Sequence, residues 1–131
     1  GDITASRLWR HERNVQRVGS GILVGGHVYM VDEDGSARCY DVKTGEDKWK
    51  DEKRRPGTIW GSLVHAEGRI YAFMRDGSTR VYRADPKQEV LAINTLGPGV
   101  QTNSSPAISN GEIFLRTFKH LYCIAEKDSP P

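Results

Sequence analysis

Three glycines, Gly26, Gly68 and Gly111, stand 42 and 43 residues apart, and two residues after each comes an apolar–aromatic pair: Val28-Tyr29, Ile70-Tyr71 and Ile113-Phe114. The flanks keep the same register. Ser20, Ser62 and Ser105 each precede their glycine by six residues, Asp34-Gly35 recurs as Asp76-Gly77, and Pro56-Gly57 recurs as Pro98-Gly99. Cys39, Val81 and Cys123 are spaced by 42 and 42. A unit of this length, built from short strands and turn pairs, cannot bury its faces alone and must stack on its neighbours. The expected fold is all-β, a β-propeller of four-stranded antiparallel blades with about three blades present.

Within a unit the strands read directly. In the first, 20–24, 27–31, 37–42 and 47–50 are the expected strands, with Asp32–Ser36 as a hairpin whose Asp-Gly supplies positive φ. The second repeats the plan over 62–66, 69–74, 79–84 and 89–94, and the third over 107–109, 112–117 and 120–125. Residues 1–14 read as the outer strand of a preceding or swapped blade, with Ser6–Glu12 (SRLWRHE) as that strand. Residues 15–56 and 57–99 then form blades, and 100–131 a blade lacking its outer strand. Propellers close with roughly 4–8 blades, so the expectation is a partial ring completed by other copies or by further sequence.

Nineteen basic and 17 acidic residues leave a net charge of +2, scattered along turns, which offers no footprint for nucleic acid. No apolar run approaches the ~18 residues of a membrane span, and the opening GDITASRL has no apolar signal core. Cys39 and Cys123 hold equivalent positions two units apart, beyond disulfide reach. Both are expected as small buried hydrophobes facing blade neighbours.

At 41–49 the sequence DVKTGEDKW resembles the tryptophan-docking motif of the PQQ-like (pyrroloquinoline-quinone-type) repeat family, A-x-D-x-x-T-G-x-x-x-W, through Asp41, Thr44, Gly45 and Trp49, with Cys39 at the Ala position. Thr4, Ala5 and Trp9 match in part. The second unit departs, aligning Arg83, Pro86, Lys87 and Leu91 with those four positions. NSSPAISNGEIFL resembles the family's inner strands. The resemblance implies a motif that locks neighbouring blades, with Trp burying a large apolar ring and needing one partner for its N–H. It also implies a periplasmic or extracellular location.

Members that bind pyrroloquinoline quinone are dehydrogenases with an adjacent cysteine pair, a carboxylate base and calcium ligands. This chain has no Cys-Cys pair and no Asp/Asn/Glu cluster at ligand spacing. Asp32, Glu33 and Asp34 offer oxygen donors of the kind calcium takes, but Asp-Gly there equally makes a solvated hairpin tip. His11, His27, His65 and His120 occupy non-equivalent repeat positions without metal spacing. No catalytic, cofactor or metal residue is therefore assigned. The candidate partner-binding rim is Lys53, Arg54 and Arg55 in the loop between two blades, with Trp60 at the start of the second blade's inner strand. Trp60 stands either at the channel mouth, as an anchor, or under the adjacent loop.

The expected function is a non-catalytic protein-interaction scaffold without a cofactor, its partners a protein and, for the ring, further copies of the chain or the remaining blades of a longer one. The alternatives are part of a quinone-dependent dehydrogenase, using pyrroloquinoline quinone with calcium, or a sensor ectodomain. Trp49→Ala should cost on the order of 3–5 kcal/mol, as buried aromatic truncations do, and Arg54→Ala almost nothing. Denaturant melts of the two variants check this, and equal small losses would contradict a docking role for Trp49.

Overall fold

The computed structural model describes residues 1–12, 16, 18–51 and 57–126. It is a three-blade arc of a β-propeller. After one 3₁₀ turn, Thr4–Ser6, come β1 (Ile22–Val24), β2 (His27–Val31), β3 (Ala37–Asp41) and β4 (Asp47–Lys50), forming an antiparallel sheet in the order β1-β2-β3-β4. The second blade holds β5 (Val64–Ala66), β6 (Arg69–Phe73), β7 (Ser78–Arg83) and β8 (Val90–Thr95) in the same order. The third holds β9 (Ala107–Ser109), β10 (Glu112–Arg116) and β11 (Leu121–Ile124), three strands among the described residues. No helix among the described residues is long and apolar enough to cross a membrane.

The repeat maps onto identical register. Tyr29 pairs with Cys39 and Cys39 with Trp49, while Tyr71 pairs with Val81 and Val81 with Ala92. Each outer pairing carries a bulge at the same place, between Cys39 and Tyr40 and between Val81 and Tyr82. The turn before the second blade's outer strand is one residue longer. Asp41 N–H bonds Glu46 O in the first blade, whereas Arg83 N–H bonds Glu89 O in the second. That extra residue moves the counterpart of Trp49 from Leu91, where sequence spacing put it, to Ala92.

Cross-strand partners share a face of their sheet. The row Tyr29–Cys39–Trp49 leans on Ile70 and Tyr82 of the next blade, and the buried core lies in this seam with Val31, Ala37, Ile59, Leu63, Ala72 and Met74. Cys39 is fully buried there, and burial raises its thiol pKa. Cys123 occupies the equivalent position on β11 and is exposed. The expectation of two buried cysteines is thus corrected at Cys123, because no following blade covers the third sheet's outward face among the described residues. Residues 7–12 carry no strand in the single chain; the strand expected at Ser6–Glu12 is one that pairs with a preceding or swapped blade, which a single chain does not contain. A lone segment forms strand only with a ladder to join.

Around the arc's inner side the blades meet backbone to backbone. Ser20 N–H donates to Ser62 Oγ at 3.0 Å and Ser62 N–H to Ser105 Oγ at 2.8 Å, so the repeated serines relay hydrogen bonds from blade to blade. Leu63 N–H adds a bond to Ser20 O at 3.0 Å. The residue before each of the first two serines is glycine because nothing larger fits. A Cβ at Gly19 would overlap Gly61 O, and one at Gly61 would overlap Ser104 O, in both cases rigid backbone. Gly61→Ala is therefore expected to destabilise by about 2–3 kcal/mol, the upper part of the overpacking range, and exposed Lys43→Ala by less than about 0.5 kcal/mol. Chemical denaturation of the two variants checks the difference.

Candidate functional site

The structural joints consume much of the chain's polar chemistry. Asp41 begins an Asx turn, its Oδ1 accepting the N–H groups of Lys43 at 2.8 Å and Thr44 at 2.9 Å. The bonds from Thr44 and Lys43 hold its carboxyl below the usual range. The turn ends on Gly45 at φ 73°. The Trp9 ring lies so close over this glycine that a Cβ would come within 2.6 Å of it. Trp9 Nε1 donates to Val42 O at 2.9 Å, and its ring stacks on Tyr40 at 6.5 Å between centroids. His11 joins the same cluster, with Nε2 at 2.7 Å from Gly45 O and its ring 4.6 Å from Tyr40.

Trp49 repeats the arrangement one blade on. Its Nε1 donates to Asp85 O at 3.1 Å and its ring stacks on Tyr82 at 6.0 Å. The second unit builds its turn through other contacts than the first. Asp85 Oδ1 accepts the Lys87 N–H at 2.8 Å, and the Arg83–Glu89 ion pair closes the longer loop.

The opposite end of the strands carries the loops expected to face partners. Lys53, Arg54 and Arg55 lie outside the described residues. Trp60 is placed, 42% exposed, with the Arg75 guanidinium carbon 4.0 Å from its ring centroid. Arg75 is held from both sides: Nε donates to Asn103 Oδ1 at 3.0 Å, its N–H bonds Thr58 O at 2.8 Å, and its carbonyl accepts from Thr102 N–H at 3.1 Å. Trp60 thus presents one face to solvent and one to a fixed cation. Beside it a cavity of about 330 Å³ is lined by Gly57, Thr58, Arg75, Asp76 and Gln101. Phe118, 60% exposed, stands on the same face next to Arg116 and Thr117.

Sequence reasoning singled out Trp60 but missed Arg75 and Asn103. The signal was divergence between units. Arg75 aligns with Glu33 and Phe118, so the repeat varies where it faces outward.

The remaining candidates are engaged locally. In the Asp32–Asp34 run, Asp32 is buried and its Oδ2 accepts from Arg38 Nε at 2.6 Å, while Asp34 Oδ1 accepts the Ser36 N–H at 2.9 Å. No group of three or more His, Cys, Asp or Glu able to hold a metal ion occurs among the described residues. His27 Nδ1 lies 3.0 Å from Gly25 O, and His120 N–H donates to Thr117 Oγ1 at 3.0 Å. His65 is exposed on β5.

Sequential four-stranded blades locked by indole joints define a tryptophan-docked β-propeller. A family model described as outer membrane protein assembly factor BamB matches residues 3–129, and the chain belongs to this PQQ-like repeat family. Comparison with curated proteins gives no significant match. Among solved structures, BamB from Moraxella catarrhalis superposes with a TM-score of 0.75 at 11% identity, covering 94% of this chain and 38% of that one. A europium-containing methanol dehydrogenase gives 0.66 at 17% identity, covering 85% and 22%. The quinohemoprotein alcohol dehydrogenase of Comamonas testosteroni gives 0.56 at 14% identity, covering 80% and 17%. At these identities the likeness is one of fold. The chain spans about two fifths of the BamB structure and less of the dehydrogenases.

The Trp60–Arg75 contact should have a measurable coupling. Trp60→Ala and Arg75→Ala each remove it, and a double-mutant cycle in urea should give an interaction of about 0.5–1 kcal/mol, as for an exposed cation–π pair. Additive losses would show that the two side chains only lie side by side.

Proposed function

We propose that this propeller segment is a non-catalytic protein-interaction scaffold, binding a protein partner on the loop face that carries Trp60. The observation that carries the reading is the Trp60–Arg75 pair. Aromatic rings and arginines dominate the energetics of protein interfaces, and an Arg already fixed by Asn103 and two backbone bonds loses little freedom on binding. In sequence Lys53, Arg54 and Arg55 precede Gly57 by two to four residues, and in this proposal their positive charge favours an acidic partner segment. A periplasmic or extracellular setting accompanies this reading, on the strength of the family membership.

The partners also include whatever completes the ring. β11 is the third sheet's outer edge among the described residues, with Leu121 74% exposed. In the proposed assembly another copy, or further blades of a longer chain, supplies the missing strand through a segment equivalent to Ser6–Glu12. Trp9 supports this arrangement, because it docks on the first blade as Trp49 of the first blade docks on the second.

The dehydrogenase reading draws on the fold likeness to methanol and alcohol dehydrogenases, and one set of measurements separates the two. A photo-crosslinking residue at position 60, in the cells that make the protein, should yield a discrete protein adduct that Arg75→Glu abolishes. The same residue at Lys43, at the other end of the strands, should give none. Calorimetry with pyrroloquinoline quinone and calcium should show no binding. Tight binding there, or identical adducts from both positions, would overturn the scaffold reading.

A further inference from the structure

A cleft opens at the loop end of the seam between the second and third blades, through three departures from the repeat. In the seam before it the same space is filled. Arg80, 3% exposed, reaches from β7 to bond Gly35 O on the first blade's hairpin. A Cβ at Gly57 would stand 3.3 Å from both Arg80 Nη2 and Met74 Cε. In the third blade Tyr122 takes the register position of Arg80, paired with Leu115 as Arg80 is with Ala72. The hairpin is one residue shorter, Thr117 N–H bonding His120 O where Met74 N–H bonds Ser78 O. Val100 stands in the place of Gly57, because Phe118 N–H bonds Gln101 O as Arg75 N–H bonds Thr58 O. Val100 packs on the second blade at Gly77, where a Cβ would meet its own Cβ at 3.0 Å.

The result is a cavity of about 230 Å³, walled by Pro98, Val100 and Tyr122, with Gln101, Lys119 and His120 on its polar side. No carboxylate is among its lining residues. The Thr117 hydroxyl is spent on the hairpin, donating to His120 O at 3.0 Å. The side chains of Gln101, Lys119 and Tyr122 have no hydrogen-bond or ion-pair partner among the described residues, and the His120 ring stands edge-on to Tyr122 at 5.8 Å between centroids. Donors thus collect beside an apolar wall, and Lys119 supplies the one formal charge of the lining. Such a set suits an acceptor-rich head with a single negative charge, carried on an apolar body. A dry cavity of about 150 Å³ already holds benzene, so this one takes a ring with a short acidic arm and little more.

We propose that this cleft binds a small aromatic carboxylic acid as its monoanion, at a site separate from the Trp60 rim and independent of the scaffold reading. The ring of the ligand lies against Pro98, Val100 and Tyr122. Its carboxylate accepts from Lys119 Nζ and the Tyr122 hydroxyl, with the Gln101 amide and the His120 imidazole as further donors. A phosphate carries about two charges at neutral pH and would leave one of them unmatched by the single lysine.

The test uses 4-fluorophenylacetate as the probe, followed by its fluorine resonance as the protein is added. The expected result is a saturable shift with a dissociation constant of about 1 mM or tighter, displaced by phenylacetate but not by phenylacetamide or phenyl phosphate. Lys119 is exposed on the turn, so the fold tolerates Lys119→Glu, which should weaken binding at least about tenfold. Tyr122→Phe keeps the wall, removes the hydroxyl, and should weaken binding roughly three- to tenfold. Trp60→Ala should leave binding unchanged, which keeps this site distinguishable from the rim. Absence of a saturable shift, displacement by the amide or the phosphate as strong as by phenylacetate, undiminished binding in either cleft variant, or loss of binding in Trp60→Ala would overturn the proposal.

Discussion

The arc hangs on one interaction, an indole reaching from one blade to the turn of the next. A β-sheet of four short strands has two faces and cannot bury both against itself. Its neighbours must supply the cover, and without a specific joint the blades would be free to slide on apolar surfaces that have no direction. Trp9 and Trp49 remove that freedom. Each ring lies on a tyrosine of the following blade, and each N–H finds a single backbone carbonyl, Val42 O or Asp85 O. The ring contributes area and the hydrogen bond contributes angle, a combination no aliphatic side chain has.

The rest of the turn serves that contact. Asp41 holds the loop by accepting two backbone N–H groups, and Gly45 both adopts a positive φ and clears the space the Trp9 ring occupies. The second blade reaches the same end with different residues, using Asp85 and a loop longer by one. What is kept is a carbonyl in the right place; the side chains that put it there are interchangeable. At the inner side the constraint is opposite in kind. Gly19 and Gly61 are required by close backbone approach, and the serines after them carry hydrogen bonds across the gap that this approach leaves.

The site lies where the units diverge. Most positions turned toward a neighbouring blade are held alike by packing, whereas loop positions facing solvent are free to vary. Trp60 with Arg75, and Tyr122 in the place of Arg80, are both places where this chain departs from its own period. The first departure adds an aromatic on the surface. The second removes an arginine from a seam.

The sequence by itself determined the blade. Glycine spacing, Asp-Gly hairpins and alternating strands placed the eleven strands of the described residues to within two residues at each end, since those signals are local and act through φ and the two-residue side-chain period. Residues 41–49 were legible as a docking motif for the same reason. Tertiary structure alone decided three things. It left residues 7–12 without strand in the single chain, because a strand requires a partner ladder that local sequence does not encode. It separated Cys39 from Cys123, since burial depends on whether a further blade stands alongside. And it identified Ala92 as the residue in the tryptophan's place, because one extra residue in a turn shifts the register, and only the hydrogen-bonded pairing of β7 with β8 fixes which side chain then faces the seam.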